Sequence, residues 1–335
     1  MGTQDRSIYM NQLNKLTIVM YHYIRDLKNS RYPGIKGLEL SDFIEQIAYL
    51  KKHYNCVTME DVLSSFESGD ALPPKAMLLT FDDAYAEHFN IAYPILKKNG
   101  IQGSFFPPAK VITEHVVLDV NKIHFILAST RDTNLLVADI QLLLKKFKDE
   151  YKLDSFDEYY AKLAIANRFD NAQVIFIKRL LQHELHEGLR NKIVNELFLK
   201  YVKMEEKAFS QELYMSTDQI SHLVNDGMHI GSHGYEHYWW NKLPLNKLEQ
   251  EIDLSIKFLE KVGVDISRWT ACYPYGSSSY DVVEVLKKKK CQLALTTVVD
   301  VANLDTSDRL LIPRLDTNDL PKKANALTDK WYEKA

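Results

Sequence analysis

The sequence is poor in the features that mark several large protein classes. Its three cysteines, Cys56, Cys272 and Cys291, are odd in number and widely spaced, which argues against a disulfide framework and against a Cys-x-x-Cys metal site. With 12 glycines and 10 prolines in 335 residues, the chain is neither fibrous nor of low complexity. Lysine and arginine (42) nearly balance aspartate and glutamate (45), so the basic excess typical of nucleic-acid-binding proteins is missing.

Long apolar runs are also missing. No segment approaches the roughly 18–20 apolar residues that a membrane-spanning helix needs. The first residues lack the apolar core of a signal peptide, and Arg6 stands where a myristoylation pattern needs Ser or Thr. We therefore expect a cytoplasmic protein with no membrane span and no nucleic-acid partner, and its oligomeric state is left open.

Hydrophobic patterns divide the chain into three parts. Residues 1–110 alternate buried strand patterns, at Lys15–Tyr21, 75–81 and Gly103–Phe106, with amphipathic helices, which favours a parallel sheet or barrel. Residues 111–214 contain four helical patterns, one glycine and no proline, and we interpret them as a helical insertion. Strand–helix alternation returns in residues 215–335. At 335 residues, the length suits a barrel-sized domain with an insertion.

A pair of aspartates ends one of the buried strands, in the motif Thr80-Phe-Asp-Asp-Ala-Tyr85. Active sites of parallel α/β folds lie at the carboxyl ends of strands. Adjacent carboxylates there repel each other unless a cation or a proton separates their roles, so one can bind a metal while the other acts as a base. The alternative is a pair of helix-capping aspartates, which are common at such turns.

Two further motifs also follow strand patterns. His233-Gly-Tyr-Glu-His237 places two histidines four residues apart, a spacing that can reach one metal, although 11 histidines produce such a pair readily by chance. Tyr273-Pro-Tyr-Gly276 is a turn whose backbone N–H groups can bind an oxyanion, or it is only a turn.

Taken together, the aspartate and histidine motifs indicate a catalytic metal site. One aspartate and two histidines form a nitrogen and oxygen ligand set that suits one divalent transition metal, with Zn²⁺ expected first and Co²⁺, Ni²⁺ or Mn²⁺ as alternatives. Three protein ligands leave positions open for water and substrate, and the second aspartate is then available as a general base.

These motifs, in this order, resemble those of the NodB-type polysaccharide deacetylases, carbohydrate esterase family 4. That family carries TFDDG, H-[ST]-x-x-H and a Pro-aromatic-Gly motif, and this chain reads TFDDAY, HGYEH and YPYG. The resemblance covers residues 15–110 and 215–316 but not the insertion. The segments MYHYI (20–24) and FIEQIAYLKK (43–52) further resemble the subgroup of biofilm N-deacetylases and O-antigen or capsule sugar deacylases.

The resemblance implies an α/β fold, a distorted (β/α)₇ barrel with a large helical insertion and a metal at the strand ends. It implies metal-dependent hydrolysis of an N-acyl group, acetyl or formyl, on an amino sugar. Asp82 matches the general base, and Asp83, His233 and His237 match the metal ligands. Tyr275 matches the residue whose backbone N–H helps to bind the oxyanion.

The chain departs from the family pattern at four positions. Ala84 replaces a glycine, from which we predict a turn that avoids the left-handed backbone region. Gly234 replaces a Ser or Thr whose hydroxyl braces the histidine loop. Cys272 stands where the family has an arginine that tethers the base, and no Asp-Trp motif follows to pair that arginine. In Leu311-Ile-Pro-Arg314, the arginine replaces the usual acid histidine, and it cannot donate a proton near pH 7.

Two residues are candidates for the missing roles. Arg314 can replace the tether to Asp82, or it can form a purely structural ion pair. His22 ends the first strand and can supply the acid, the role that the resemblance implies for it, or it is a hydrogen-bonded core histidine.

The expected cytoplasmic location favours a nucleotide- or lipid-linked N-acyl amino sugar, as in glycan or O-antigen precursor assembly. Two alternatives stay open. One is an amidase that acts on a non-sugar amide. The other is an inactive barrel that binds glycan through the aromatic residues after the histidine motif, Tyr235, Tyr238, Trp239 and Trp240.

Overall fold

The computed structural model describes residues 14–166 and 170–335. Arg6 and the other N-terminal residues that bear on the targeting prediction lie outside these ranges. The strands are β1 Lys15–Tyr21, β2 Ile24–Arg25, β3 Leu38–Glu39, β4 Asn55–Cys56, β5 Ala76–Asp82, β6 Gly103–Phe106, β7 His229–Ile230, β8 Thr270–Cys272, β9 Leu293–Leu295, β10 Ala302–Asn303 and β11 Leu315–Asp316.

Helices follow most of these strands. They are α1 Leu40–His53, α2 Met59–Ser68, α3 Tyr93–Asn99, α4 Ala109–Thr113, α5 Asp119–Ser129, α6 Thr133–Tyr151, α7 Phe156–Leu163, α8 Ala172–Arg179, α9 Glu187–Tyr201, α10 Glu206–Leu213, α11 Thr217–Asn225, α12 Leu245–Lys261, α13 Tyr280–Lys288 and α14 Lys330–Lys334. A π-helical turn, His88–Ala92, runs directly into α3.

Parallel strands of the described chain close a barrel in the order β1, β5, β6, β7, β8, β9 and β11. The pairing of β1 with β5 is regular from Leu16↔Ala76 to Tyr21↔Phe81, and β5 with β6 and β6 with β7 are also paired. On the other side, β7 reaches β8 only through a bridge from Ser232 to Ala271, and β9 reaches the segment before β11 only through Leu295 and Ile312. β11 pairs with β1 and completes the circle. The barrel is therefore distorted at two joints, as expected.

The strands are formed by continuous apolar runs because both of their faces are covered. β5 is buried over its whole length. On the face of the sheet that packs against α1, the Phe81 ring stacks between the rings of Tyr21 and Phe105, with centroids 5.0 and 4.8 Å apart. The Tyr21 ring also meets Phe43 of α1 edge to face at 5.4 Å, so this stack joins the helix to the strands.

The chain divides into two compact units. Of the described residues, the barrel unit contains 14–25, Leu38–Glu114 and Leu213–Ala335, and the helical unit contains Asp26–Gly37 and the described part of His115–Glu212. The helical unit has its own apolar core around Phe125 and Phe209, whose rings meet edge to face at 4.8 Å. Among the described residues, no helix has both the length and the apolar character needed to cross a membrane.

Most predicted elements are present, with differences at their ends. Capping boxes open two helices, with Thr58 before α2 and Ser216 before α11. Helix α1 has no side-chain cap, because β3 runs straight into it and Glu39 is the extended residue before the helix. Residues 310–312 contribute only the single bridge of Ile312. No side chain caps the first turn of α5, so the usual sequence signal for a helix start is missing there.

Gly231 follows β7 and lies between side chains of β6 and β8. A Cβ there would lie 2.4 Å from Phe106 Cε1 and 2.6 Å from Thr270 Oγ1, so alanine would force these groups apart. We expect Gly231→Ala to lower the free energy of unfolding by about 1–3 kcal/mol, measured by urea denaturation. The control is Gly188→Ala in α9, where the nearest such atom would lie 3.7 Å away. That change should be neutral or stabilise by up to about 1 kcal/mol. Equal stabilities of the two variants would contradict the tight approach.

Candidate active site

The carboxyl ends of the barrel strands gather the site residues predicted from the sequence. Asp82 ends β5 and Asp83 follows it, while His22 follows β1 directly. The remaining predicted residues lie in the segments after β7 and β8 and just before β11: His233, His237, Tyr275 and Arg314. The fold thus places all of them at one end of the barrel, the end where parallel α/β proteins carry their active sites.

Asp83, His233 and His237 form a compact, buried triad. The two Nε2 atoms of the histidines lie 3.2 Å apart, and each is 3.5 Å from Asp83 Oδ1. Ligands placed tetrahedrally 2.0–2.2 Å from a metal lie about 3.3–3.6 Å from each other, so these three atoms fit one ion. Asp83 Oδ1 is buried and has no hydrogen-bond partner among the described residues, as expected of an oxygen atom whose partner is a metal ion.

Neighbouring groups orient the triad. His233 Nδ1 donates to the carbonyl oxygen of Cys272 at 3.0 Å, which leaves the lone pair of Nε2 directed at the site. The Tyr85 hydroxyl donates to Asp83 Oδ2 at 2.7 Å, and the Tyr85 ring stacks on Tyr23 at 4.0 Å. One carboxylate oxygen is thereby held by the protein while the other faces the histidines.

The charges within the triad suit metal binding. Burial acts to raise the pKa of Asp83, but the imidazoles of His237, His22 and His233 outweigh it and lower the pKa below its ordinary value. Burial, together with the neighbouring His233, lowers the pKa of His237 to about 3. Asp83 is therefore a carboxylate and His237 a neutral imidazole at physiological pH, the two forms that bind metals.

Asp82 is held by a buried arginine. Arg314 Nη1 and Nη2 donate to the two carboxylate oxygens of Asp82 at 3.0 and 2.8 Å. The same guanidinium donates to Thr80 Oγ1 at 3.1 Å and to the Thr296 carbonyl at 2.9 Å, and its side chain is fully buried. Burial acts to raise the pKa of Asp82, but the charge of Arg314 and its hydrogen bonds lower it well below its ordinary range. Asp82 is thus a fixed anion beside the triad.

The comparisons with known proteins agree with this geometry. The polysaccharide deacetylase family model matches residues 69–140 and 190–294, which is more than half of the chain. The chain belongs to the polysaccharide deacetylase family. The expected resemblance is thereby confirmed, and the spans matched include both the aspartate motif and the histidine motif.

Individual relatives match over shorter stretches. YxkH of Bacillus subtilis, whose name places it among the polysaccharide deacetylases, is 30% identical over 99 residues, 29% of this chain and 33% of the relative. Poly-β-1,6-N-acetyl-D-glucosamine N-deacetylase of Escherichia coli is 29% identical over 86 residues, 25% of this chain and 12% of the relative. This second match agrees with the expected subgroup. The matched segments thus span at most a third of the length of these relatives.

A solved structure shows the same fold over nearly the whole chain. The Streptococcus pyogenes deacetylase PplD, solved with acetate, superposes with a TM-score of 0.54 at 14% identity, over 91% of this chain and 92% of that one. The fold expected from the sequence is confirmed.

One prediction about the departures of this chain from its family is wrong. Asp83 has φ of 73° and Ala84 has φ of 58°, so the turn after β5 is left-handed even without glycine. A left-handed alanine costs roughly 1–2 kcal/mol. Neighbouring segments hold the turn, because Asp83 N–H donates to the Phe106 carbonyl and the Ala84 carbonyl accepts from Met215 N–H. Tertiary hydrogen bonds thus impose the conformation that a glycine would adopt freely.

His22 lies half-buried at the end of β1. Its imidazole is close enough to both aspartates to contribute to the lowering of their pKa values. Its carbonyl oxygen accepts from Nε2 of the fully buried His88 at 2.7 Å. Sequence reasoning missed His88, which stands in a π-helical turn with no motif around it.

The aromatic residues after the histidine motif divide into two groups. Trp240 is a core residue, fully buried and packed edge to face on Tyr273 at 5.7 Å. Trp239 is half-buried and stacks on the ring of Tyr275 at 4.4 Å, and the Tyr275 ring lies 4.5 Å from the His237 ring. Only the second group lies beside the triad, so of the aromatic residues proposed for glycan contact, Trp240 is not available.

The pKa of His88 provides a pH test of this arrangement. Burial lowers that pKa to about 4, against an ordinary value of 6.5, so the unfolded chain binds the proton more readily between these values. The stability that neutral His88 contributes is therefore lost as pH falls from about 6.5 toward 4. Between about pH 7.5 and pH 5, we expect the wild type to lose about 2 kcal/mol more unfolding free energy than His88→Gln. Glutamine keeps a donor for the His22 carbonyl but does not titrate.

The measurement is urea unfolding of the metal-free protein at both pH values. Parallel losses in the two proteins would show that His88 is not held neutral in the fold.

Proposed function

We propose that this protein removes the N-acetyl group from an amino sugar by metal-assisted hydrolysis. The observation that carries the proposal is the pairing of a buried Asp–His–His triad with a separate aspartate, Asp82, that Arg314 keeps ionised. One carboxylate is thus committed to the ion and the adjacent one is left for proton transfer, the division of roles that amide hydrolysis needs.

In this proposal, Asp83, His233 and His237 hold one divalent ion, Zn²⁺ in the first instance, with Co²⁺, Ni²⁺ or Mn²⁺ suited to the same ligands. A bound divalent cation supplies Lewis-acid polarisation of the amide carbonyl and lowers the pKa of the attacking water.

Asp82 takes the proton of the attacking water. Arg314 occupies one lone pair on each of its oxygens, and each oxygen keeps a second lone pair as an acceptor. The Arg314 guanidinium is itself held by Thr80 Oγ1 and the Thr296 carbonyl, so it fixes the direction of the lone pairs that remain on Asp82. Tyr275 N–H helps to bind the carbonyl oxygen as negative charge develops on it.

His22 delivers the proton that the leaving amine needs. It directly follows β1, the strand that pairs with β5, and it contributes to the lowering of the pKa of both aspartates. Both observations support a place at the reacting centre. A protonated imidazole can donate near neutral pH, which the arginine at the family's usual acid position cannot.

The substrate class we propose is an N-acetylated amino sugar. The Escherichia coli relative acts, by its name, on poly-β-1,6-N-acetyl-D-glucosamine, so a β-1,6-linked oligomer is the first compound to test. Nucleotide- or lipid-linked N-acetyl sugars form the second class and accompany the cytoplasmic location expected from the sequence.

The proposal predicts acetate release that depends on Asp82. With one metal ion per chain, we expect Asp82→Asn to lower kcat by roughly 10²–10⁴-fold, because the base is lost while the ligand set stays intact. Acetate is measured with β-1,6-linked N-acetylglucosamine oligomers and, in parallel, with a nucleotide-linked N-acetyl sugar.

Metal content by mass spectrometry is the control, and His237→Ala should lose the ion. A wild-type protein that binds no Zn²⁺ or Co²⁺, or equal turnover in Asp82→Asn, would refute the proposed function.

His22 has a test of its own. His22→Ala should lower kcat by about 10²-fold or more, because the leaving amine loses its proton donor. The metal content should stay at one ion per chain, since His22 is not a ligand in this proposal. Turnover at the wild-type rate in this variant would assign the acid role elsewhere.

A further inference from the structure

Helix α12 presents two polar side chains to the histidine loop, residues 233–237. They are Glu251 and Ser255, one helical turn apart and both buried. Glu251 Oε1 accepts from the backbone N–H of Glu236 at 2.6 Å, and its Oε2 accepts from the N–H of Tyr235 at 3.1 Å. A single carboxylate thus binds two successive amides of the segment that joins the two histidines.

Ser255 extends this attachment to a third amide. Ser232 Oγ donates to Ser255 Oγ at 2.8 Å, and Ser232 Oγ also accepts from the N–H of Gly234 at 3.1 Å. Ser255 in turn donates to the Ile252 carbonyl at 3.0 Å within its own helix. The amides of residues 234, 235 and 236 are therefore all tied to one helix.

The loop needs such an attachment because its backbone is strained. His237 has φ of 59°, a left-handed conformation that costs a non-glycine residue roughly 1–2 kcal/mol. Gly234 is also left-handed, and a Cβ there would lie 3.1 Å from Trp240 Nε1, so a Ser or Thr does not fit without movement. With no hydroxyl at position 234, hydrogen bonds from outside the loop must hold its shape.

The surroundings of Glu251 differ from those of an ordinary surface glutamate. It is only 5% exposed, and burial raises its pKa to about 7, while the bonds from Glu236 and Tyr235 N–H act in the opposite direction. Lys110, whose charge acts to lower the pKa of Glu251, is paired with Glu236. Burying a carboxylate costs free energy even when amides bind it. The presence of Glu251 is therefore best explained by the histidine loop that the two amides belong to.

We propose that Glu251 is a positioning residue for the metal site. By holding the Tyr235 and Glu236 amides, it fixes the loop in the shape that brings the Nε2 atoms of His233 and His237 to 3.2 Å from each other. This inference rests on the proposed metal-dependent function and extends it to a residue that touches neither metal nor substrate.

The test is Co²⁺ affinity, followed by equilibrium dialysis and by the visible absorption of the bound ion, which reports its coordination geometry. We expect Glu251→Ala to weaken Co²⁺ binding by about 10–100-fold and to alter the spectrum, the usual effect of removing a group that orients a ligand. Glu251→Gln keeps the shape and one acceptor oxygen, so it should recover part of the affinity. The matched control is Glu249→Ala on the same helix, whose carboxylate pairs with Lys288 at the surface.

Wild-type affinity and spectrum in both Glu251 variants would overturn the inference, as would an equal loss in Glu249→Ala. If Glu251→Ala does not fold, by circular dichroism, the Glu251→Gln result decides alone. Failure of the proposed function looks different, because the wild type itself then binds no Co²⁺ or releases no acetate. A wild type that binds Co²⁺ and releases acetate, beside two Glu251 variants of unchanged affinity and spectrum, refutes only the role of Glu251.

Discussion

Two adjacent carboxylates, Asp82 and Asp83, are buried at the end of one strand, and the proposed reaction needs both of them ionised. Burial alone would protonate them, since a charge removed from water is strongly destabilised. The protein meets this constraint separately for each residue. The charge of Asp82 is balanced by the forked guanidinium of Arg314. Asp83 accepts a hydrogen bond from Tyr85 and directs its other oxygen at His233 and His237, where a bound cation would balance its charge. The left-handed turn after β5 lets neighbouring residues of one strand meet these different partners.

Arg314, and not the residue at position 272, pairs with Asp82, and the reason lies in the space and charge at this end of the barrel. Cys272 ends β8 with a fully buried side chain, and burial raises the pKa of its thiol well above the ordinary value, so it is uncharged and cannot form the ion pair with Asp82 that an arginine would. Arg314 approaches instead from the segment before β11, with Nε anchored on the Thr296 carbonyl. Because β11 pairs directly with β1, and β1 with β5, the guanidinium comes from within the same ring of strands. A buried ion pair is stable only when its remaining donors are also met, and Thr80 and Thr296 meet them.

The parts of this site that are encoded by contiguous residues could be predicted from the sequence. The strands, the aspartate pair and the histidine pair each carry a local pattern, and parallel strands must end at one edge, so their meeting was predictable. His88 and Glu251 carry no such pattern, and Tyr85, although it belongs to the aspartate motif, was not predicted to hold Asp83. In the sequence, a buried glutamate on an amphipathic helix cannot be distinguished from a surface glutamate, because the difference depends on how the helix packs. The left-handed Ala84 was mispredicted for the same reason, because the hydrogen bonds that impose it come from Phe106 and Met215, far along the chain.

The histidine loop shows how a lost local interaction is replaced by tertiary ones. A hydroxyl at position 234 would brace the loop from within, but Gly234 lies against the buried Trp240 and has no side chain to offer. Bracing therefore comes from Ser232, two residues earlier, and from Glu251 on α12. This arrangement ties the separation of the two histidines to the packing of a long helix on the barrel. The proposed metal site is consequently only as rigid as that helix, and substitutions that loosen α12 should act on the two imidazoles even though they lie outside the motifs that define the family.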